Sequence, residues 1–314
     1  MNLHKSTEEF NELCVPTSEY IGIPNEAVKR DYYIVMILKN LQDSIYCEEC
    51  VFKGGTSLSK CYPNSINRFS EDIDLTFIPR EELSKKQYNK ILKKIEEAII
   101  GEANSEKILE ERNDRNKSSF VWFEDINSSD SRLKLEIGSS VRPDPYKKRK
   151  VKTYIQEYLE NINMFDEIRE FGLKEVNVNV LCIERTFIDK IFSVKRHALS
   201  GTLIKKVRHI YDVNKLYKMK EIQDFIKDKE SLRDLIIKTK ETDSYYLEKR
   251  NIESSYNPLD KYDFNSWNNY FDENIGKRYE TLHKDLLYSD EKQEFNEAIE
   301  TFEAVSNLLN EIGE

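Results

Sequence analysis

The segment RFSEDIDL at residues 68–75 constrains the fold more than any other stretch, because it combines the pattern of a half-buried strand with two acids. Apolar residues at positions 73, 75 and 77 alternate with Asp72, Asp74 and Thr76. This two-residue period is typical of a β-strand with one apolar face. Side chains at alternate positions share a face, so the two carboxylates repel each other unless a cation lies between them. The pattern therefore predicts a strand over 72–78 whose polar face binds a positive group.

A glycine pair upstream of this strand predicts a turn that can bind an anion. Gly54 and Gly55 separate a short predicted strand at 50–53 from a predicted helix that begins with TSLSK. Glycine lets backbone N–H groups approach an anion closely, and a helix N-terminus adds partial positive charge. The chain contains no GxxxxGK[ST] sequence, so the turn is not a Walker loop. The phosphate contacts that we predict around this turn and before the aspartates are Lys53, Gly54, Gly55, Thr56, Ser57, Arg68 and Ser70.

The two aspartates have the spacing expected of magnesium ligands. Two Mg²⁺ ions held ~3.5–4 Å apart fit between such carboxylates and can bind the attacking and leaving oxygens of a phosphoryl transfer. A third carboxylate on a neighbouring strand, ~4.8 Å away, would complete the site. Glu136 in RLKLEI (132–137) lies on the polar side of a predicted strand and suits this position, although a plain solvent-facing acid fits the pattern too. We predict that Asp72, Asp74 and Glu136 are catalytic ligands of two Mg²⁺ ions that also bind substrate phosphates.

Hydrophobic periodicity predicts a mixed sheet flanked by helices, an α/β (α+β) fold. The predicted helices are 25–44, 81–99, 183–199 and 202–218, and the predicted strands are 50–53, 72–78, 119–123, 132–137 and 176–181. After residue 218 the strand signals end, and polar helices follow with aromatic residues such as Trp267, Tyr270 and Phe271. We therefore predict a catalytic domain over 1–218 and a helical C-terminal domain over 219–314.

Charge is distributed unevenly along the chain. The net charge of −9 argues against a surface that binds nucleic acid everywhere. Residues 142–152 and 189–208, however, each carry six positive side chains and one aspartate, which is compatible with local binding of a polyanion. Ordinary solvated surfaces would look the same. The polyanion contacts that we predict in these runs are Arg142, Lys147, Lys148, Arg149, Lys150, Lys195, Arg196, Lys205, Lys206 and Arg208.

Cysteine usage and hydropathy indicate a cytoplasmic protein without a membrane partner. The five cysteines form an odd set, which suggests reduced thiols. No segment approaches the ~18 uninterrupted apolar residues of a membrane helix. The N-terminal MNLHKSTEEF also lacks the basic and then apolar layout of a secretory signal.

Several stretches together resemble the AbiEii/AbiGii family of nucleotidyltransferase toxins, which belongs to type IV toxin–antitoxin and phage abortive-infection systems. The matching stretches are GGTSL (54–58), RFSEDIDL (68–75), ERTFIDK (184–190), RHIYDV (208–213) and an upstream helix with KRDYYI (29–34). The family commonly has R-D-x-x-D where this chain has Arg208, His209 and then Asp212. The departure weakens any role for position 209 and leaves Asp212 in place.

The resemblance implies an activity and further site residues. It implies a Mg²⁺-dependent toxin that transfers NMP from an NTP to a hydroxyl, with the 3′ end of tRNA as the acceptor. The toxin would block growth or translation and be paired with an antitoxin encoded nearby. The phosphate contacts predicted above would then be nucleotide contacts, with NTP bound through two Mg²⁺ ions, and the polyanion contacts would be RNA contacts. Lys190 matches the motif lysine and would contact a nucleotide phosphate, while Asp212 would orient Lys190 or the acceptor. The residues alone are equally compatible with a surface lysine and with an acid that pairs with Arg208 four positions earlier.

Two other functions fit the same residues. The acceptor could be a protein hydroxyl, which would make the chain a protein nucleotidylyltransferase; label from an NTP on protein and none on RNA would select this reading. The chain could also be a non-catalytic module that binds nucleotide or RNA. Toxicity that survives Asp72→Asn would exclude catalysis by the aspartates.

Overall fold

The chain forms two compact units. The computed structural model describes residues 1–70, 72–123, 132–140, 142–250, 256–288 and 292–312, without the side chains of 246, 248–250 and 285. The first unit, here the sheet unit, comprises Met1–Pro63 and Phe69–Leu181. The second, here the helical unit, comprises Asn64–Arg68 and Cys182–Glu314. None of the helices in these described ranges has the length and apolar content needed to cross a membrane.

One mixed sheet forms the centre of the sheet unit. Its described strands are β1 (Cys50–Lys53), β2 (Ile73–Phe77), β3 (Asn104–Lys107), β4 (Asn116–Trp122), β5 (Leu133–Gly138), β6 (Tyr146–Val151) and β7 (Val176–Leu181). Their order across the sheet is β3-β4-β5-β2-β1-β7-β6. The pairs β1–β7 and β2–β5 are parallel and the other neighbours are antiparallel. The predicted strands at 50–53, 72–78, 119–123, 132–137 and 176–181 all lie in this sheet, with small shifts at their ends.

The central strands form because aliphatic and polar residues alternate in matching register. Ile73 pairs with Leu135 and Leu75 with Ile137, and each of these side chains is at most 1% exposed. The residues between them stay half-exposed. One face of β2 and β5 is therefore a continuous apolar surface, and burial of that surface stabilises both strands at ~25 cal/mol per Å².

Helices flank the sheet within the same unit. They are α1 (Thr7–Ile21), α2 (Asn25–Asp43), α3 (Gly54–Cys61), α4 (Lys85–Ile100), α5 (Tyr154–Asn161) and α6 (Phe165–Glu170). Helix α2 starts after Pro24, as predicted, because proline suits a helix start but not a helix interior. Helix α4 starts at a capping box in which Ser84 and Gln87 bond to each other's backbone N–H. Helices α2 and α4 pack on each other and on the sheet at β7 and β4 respectively.

The described part of the helical unit has an aromatic core. Its helices are α7 (Ile183–Leu199), α8 (Val207–Tyr217), α9 (Lys220–Phe225), α10 (Lys229–Arg250), α11 (Glu273–Glu280), α12 (Leu282–Asp285) and α13 (Phe295–Glu311). The Trp267 side chain is fully buried and its ring lies 4.8 Å from that of Phe264. Phe271 is buried with them, whereas Tyr270 is exposed. Of the predicted aromatic residues, two are thus core residues and one is a surface residue.

The two units do not divide at the boundary predicted near residue 218. Helices α7 and α8 pack on each other, and α8 packs on α11 and α13, so they belong with the C-terminal helices. The last strand of the sheet in chain order is β7, which ends at Leu181, and the later residues in the described ranges contribute no strand to the sheet. A short piece of upstream chain, Asn64–Arg68, also belongs to the helical unit, where Tyr211 Oη donates to the Ile66 carbonyl at 2.8 Å.

Candidate active site

The glycine pair lies directly against one of the two predicted aspartates. Helix α3 begins at Gly54, so the pair forms the first helical turn rather than a separate loop. Gly54 has a φ of +83°, and a Cβ atom placed there would lie 2.2 Å from Asp74 Oδ2. Only glycine tolerates both the positive φ and so close a neighbour. The carboxylate of Asp74 therefore lies at the N-terminal turn of α3, where helix dipoles favour negative charge.

Charged residues form a row across three neighbouring strands at the same place. Asp74 on β2 pairs with Lys53 on β1 and with Glu136 on β5. Residues that pair directly across strands share a face of the sheet, so the three side chains leave the same face. All three are half-exposed. The register thus brings Glu136 beside Asp74, as the sequence predicts for a third carboxylate.

Glu136 also has a cationic partner of its own. Lys134 Nζ lies 2.6 Å from Glu136 Oε1 and 2.8 Å from Glu111 Oε2. Burial lowers the pKa of Lys134, but the two carboxylates raise it by more, so the lysine stays protonated. To bind a metal ion, Glu136 would have to exchange this ammonium group for the ion. Its assignment as a ligand stays a prediction.

The oxygen donors fit Mg²⁺ in kind but do not form a closed cluster. In the described ranges, no three His, Cys, Asp or Glu side chains converge closely enough to hold a metal ion by themselves. Magnesium prefers oxygen ligands and commonly uses one or two carboxylates together with water and substrate phosphates. Asp74 lies at the turn and Asp72 is half-exposed just before β2, and as a ligand pair these two acids stay a prediction. These residues would hold the ion, with the remaining ligands coming from substrate and solvent.

The hydroxyl groups near the turn fix the backbone of the site. Thr56 Oγ1 donates to the Asp72 carbonyl at 2.5 Å and is hydrogen-bonded to the Ser70 hydroxyl at 3.0 Å. Ser57 Oγ donates to the Gly54 carbonyl at 2.9 Å. The side chains of Thr56 and Ser57 are at most 1% exposed. This burial includes their backbone atoms, and the contact of these two residues with a nucleotide stays a prediction.

A second cluster of motif residues lies within the helical unit. Asp212 on α8 is fully buried and accepts from Arg68 Nε at 2.6 Å and from Arg68 Nη2 at 2.7 Å. Lys190 Nζ on α7 lies 2.8 Å from Asp212 Oδ2 and is itself buried. Burial alone would raise the pKa of Asp212, but the charges of Arg68 and Lys190 outweigh it and hold the pKa well below its usual range. Asp212 is thus a buried anion at physiological pH, shared by two cations.

This cluster corrects three readings of the sequence. Asp212 is not a surface acid paired with Arg208, and Lys190 is not a surface lysine. Arg68, predicted as a nucleotide contact, directs two of its N–H groups to Asp212. His209 is half-buried beside Ser193, at 3.2 Å between Nδ1 and Oγ, and burial lowers its pKa so far that the ring is neutral at physiological pH.

The predicted RNA contacts differ in their exposure. Lys195 is only 4% exposed, donates to the Lys261 carbonyl at 2.8 Å, and has a pKa lowered by burial, so it is withdrawn from the set. Arg196 pairs with Asp243 at 3.4 Å. The remaining exposed members of the set are Arg142, Lys147, Lys148, Lys150 and Lys205, and the half-exposed members are Arg149, Lys206 and Arg208. Of these, Lys148 and Lys150 pair with glutamates, Glu48 and Glu175, each at 2.6 Å.

The sequence did not reveal the partners of these motif residues. Arg68 and Asp212 are 144 positions apart, and no local pattern links them. The basic run at 142–152 shows charge but no apolar period, yet residues Tyr146–Val151 form strand β6 at one end of the described sheet. Val151 at the end of that strand is buried, and the residues before it are exposed or half-exposed, so no alternation of apolar residues marks the strand.

Comparison with known proteins places these features in a family. The family model described as nucleotidyl transferase AbiEii toxin, type IV TA system, matches residues 36–303. The structure of JHP933 from Helicobacter pylori is 19% identical, covers 83% of this chain and 95% of its own, and has a TM-score of 0.39. MenT4, a nucleotidyltransferase toxin from Mycobacterium tuberculosis, is 16% identical, covers 95% and 98%, and has a TM-score of 0.46. Because both TM-scores are below 0.5, the assignment of the chain to a family rests on the match to the family model. No curated protein sequence matches the chain.

Proposed function

Because the chain belongs to the AbiEii family of nucleotidyltransferase toxins from type IV toxin–antitoxin systems, we propose that it transfers NMP from an NTP to the 3′ end of tRNA in a Mg²⁺-dependent reaction. Family membership supplies the coarser part of this statement: a nucleotidyltransferase toxin with an NTP substrate and an antitoxin partner. The acceptor, the metal ion and the roles of individual residues are our proposal. Loss of translation through a blocked tRNA end would then explain growth inhibition.

The close contact between Gly54 and Asp74 carries the proposal. The N-terminal turn of α3 suits an anion, yet the Asp74 carboxylate already lies there. A triphosphate bound at this turn would also lie near Asp72 and Asp74. Its negative charges and the two carboxylates would repel each other. Asp72 and Asp74 would hold a divalent cation here, and its charge would offset this repulsion. When bound, Mg²⁺ would neutralise charge on the phosphates and on the leaving pyrophosphate.

The residues of the chain then act by position and charge. Gly54 allows the phosphates to approach the backbone, and Lys53 adds a positive charge in the same row. The acceptor oxygen bonds to the α-phosphorus, the bond from that phosphorus to its bridging oxygen breaks, and pyrophosphate leaves. The hydroxyl proton passes to solvent. For Lys190 the predicted phosphate contact stays a proposal, with Asp212 as the counter-ion that holds its side chain.

Transfer of label from NTPs tests the proposal directly. Pure protein is incubated with Mg²⁺, each α-labelled NTP in turn, and total RNA together with cell protein. We expect label on RNA of tRNA size, at least a ~10²-fold loss with Asp72→Asn or Asp74→Asn, and no loss with Asp166→Asn, an exposed aspartate on α6. Label on protein alone would favour the protein acceptor. Nucleotide binding without transfer of label to RNA or protein would favour the non-catalytic module.

A further inference from the structure

The KRDYYI motif on α2 has no role in the proposed chemistry, yet its aspartate is deeply buried. Asp31 is 3% exposed. Its Oδ1 lies 2.6 Å from Lys60 Nζ, and its Oδ2 accepts from the Tyr154 backbone N–H at 2.7 Å. Burial raises the pKa of Asp31, and the nearby Lys60 opposes that shift. The carboxylate therefore links α2 to the first turn of α5 and to Lys60.

Lys60 belongs to the helix that carries the glycine pair. It lies in the last turn of α3, ~9 Å along the helix from Gly54 at ~1.5 Å per residue. Its side chain is 3% exposed and its ammonium group lies 3.8 Å from the centre of the Tyr154 ring. A lysine is rarely buried this far unless a carboxylate compensates for the lost water. The C-terminal end of α3 is thus held by a specific buried ion pair.

Arg30, the residue before Asp31, contacts the segment that leads into Asp72. The Arg30 guanidinium lies 5.5 Å from the centre of the Phe69 ring. Phe69 is followed by Ser70, which bonds to Thr56, and then by Asp72. Neighbouring residues on a helix point ~100° apart, so the Arg30-Asp31 pair on α2 can reach two separate segments.

Helix α3 needs such support because little of its own sequence fixes it. It has eight residues, begins with two glycines, and has no side-chain cap at its N-terminus. Helices this short are marginal by themselves and depend on tertiary packing. A shift of ~1 Å in a group that positions substrate can cost ~10²-fold in rate. The contact between Gly54 and Asp74 therefore depends on where the far end of α3 is held.

We infer that Arg30 and Asp31 are positioning residues of the candidate active site, Asp31 acting through Lys60 on α3 and Arg30 acting through Phe69 on the segment before Asp72. The inference rests on the proposed function for its kinetic consequences. It assigns to the KRDYYI motif the task of keeping the glycine turn against Asp74. Neither residue is required to contact substrate.

A matched pair of buried ion pairs separates positioning from plain stability. Lys60→Met and Asp31→Asn weaken the Asp31–Lys60 pair, and asparagine retains an acceptor for the Tyr154 N–H. Arg112→Met and Glu96→Gln make the same changes in the Glu96–Arg112 pair of the same unit, which is 6% and 11% exposed and lies on α4 and before β4. The readouts are KM for NTP, kcat, the Mg²⁺ requirement, Tm, and amide hydrogen exchange over residues 54–61.

We expect Lys60→Met and Asp31→Asn to raise KM for NTP and the Mg²⁺ concentration at half-maximal rate ~10-fold, and to speed exchange in 54–61. In the double variant, KM for NTP and the exchange rate in 54–61 should change no more than in the worse single variant, because both substitutions break the same interaction. The two control variants should lower Tm comparably and leave KM within ~2-fold. Equal effects on KM and exchange from both ion pairs would overturn the inference. Wild-type protein that transfers no nucleotide would contradict the proposed function instead, and hydrogen exchange would still decide the positioning role.

Discussion

Among single residues, Gly54 carries the strictest requirement in the candidate site. Its backbone has a φ of +83°, and the Asp74 carboxylate occupies the space that any side chain would need. The missing Cβ allows an acid to lie against the start of a helix that also suits phosphate. Both the positive φ and the close approach of Asp74 therefore require a residue without a Cβ atom at position 54.

Gly54→Ala should abolish nucleotide transfer and destabilise the protein by ~1–3 kcal/mol, because the methyl group displaces Asp74 and the positive φ is strained. The matched control is Gly22→Ala. Gly22 ends α1 with a φ of +80° and has nothing within 4 Å of an added Cβ. The control variant should lose ~1 kcal/mol and keep full activity. Urea unfolding and the label-transfer assay measure both effects, and equal loss of activity in the two variants would contradict this account of the turn.

At the scale of elements, one buried carboxylate organises the helical unit. Asp212 on α8 binds Lys190 on α7 and Arg68 in the segment Asn64–Arg68. The same segment is held by the hydrogen bond from Tyr211 to Ile66. A buried ion cluster of this kind stabilises little relative to apolar packing but becomes costly once a partner is removed.

Asp212→Asn should therefore lower the free energy of unfolding by ~3–5 kcal/mol, since it leaves two cations buried without their anion. Asp224→Asn is the matched control. Asp224 on α9 also has two lysine partners, Lys220 and Lys227, but is exposed. Its replacement should leave unfolding in urea unchanged. Similar losses in both variants would show that burial is not the deciding factor.

The same aspartate predicts a pH dependence of stability. Its pKa in the folded state is lowered below the unfolded value of ~3.9, so its contribution is complete above that value and declines as the pH falls below it. The stability difference between wild type and Asp212→Asn should thus be constant from ~pH 5 to ~pH 8 and shrink below ~pH 4. Unfolding in urea at each pH measures the difference. A difference that changes between ~pH 6 and ~pH 8 would point to another titrating group.

For the whole molecule, the proposed tRNA acceptor would have to bind to a chain that is itself acidic. The net charge is −9, and several predicted RNA contacts are paired with acids or buried. Lys147 on β6 and Lys205 before α8 are exposed and belong to different units. Binding of tRNA should therefore rest on a few exposed cations and be sensitive to salt.

Lys147→Ala and Lys205→Ala should each reduce the slope of log K against log salt by ~0.7, the value for one phosphate contact with a single strand. Fluorescence anisotropy with labelled tRNA between ~50 and ~200 mM salt measures the slope. Lys94→Ala on α4 changes the net charge equally, from an exposed position outside the predicted set, and should leave the slope unchanged. If all three variants alter the slope alike, the effect is one of net charge and not of contact.

The sequence by itself determined the elements whose patterns are local. Strand β2, strand β5 and helix α2 were predictable because their apolar residues repeat with the period of the element. Strand β3 was missed because all of its residues are exposed, and pairing with β4 rather than composition makes it a strand. The glycine pair and the two aspartates are also visible in the sequence, because each of these motifs spans only a few residues.

Only the tertiary structure decided which charged groups are buried and with which partner. Lys60 pairs with Asp31, and Arg68 pairs with Asp212. Lys195 is buried. Nothing in the sequence around these three cations distinguishes them from exposed ones. The physical reason is that backbone periodicity depends on neighbouring residues, whereas the desolvation of a charge and its pairing depend on residues brought together from distant parts of the chain.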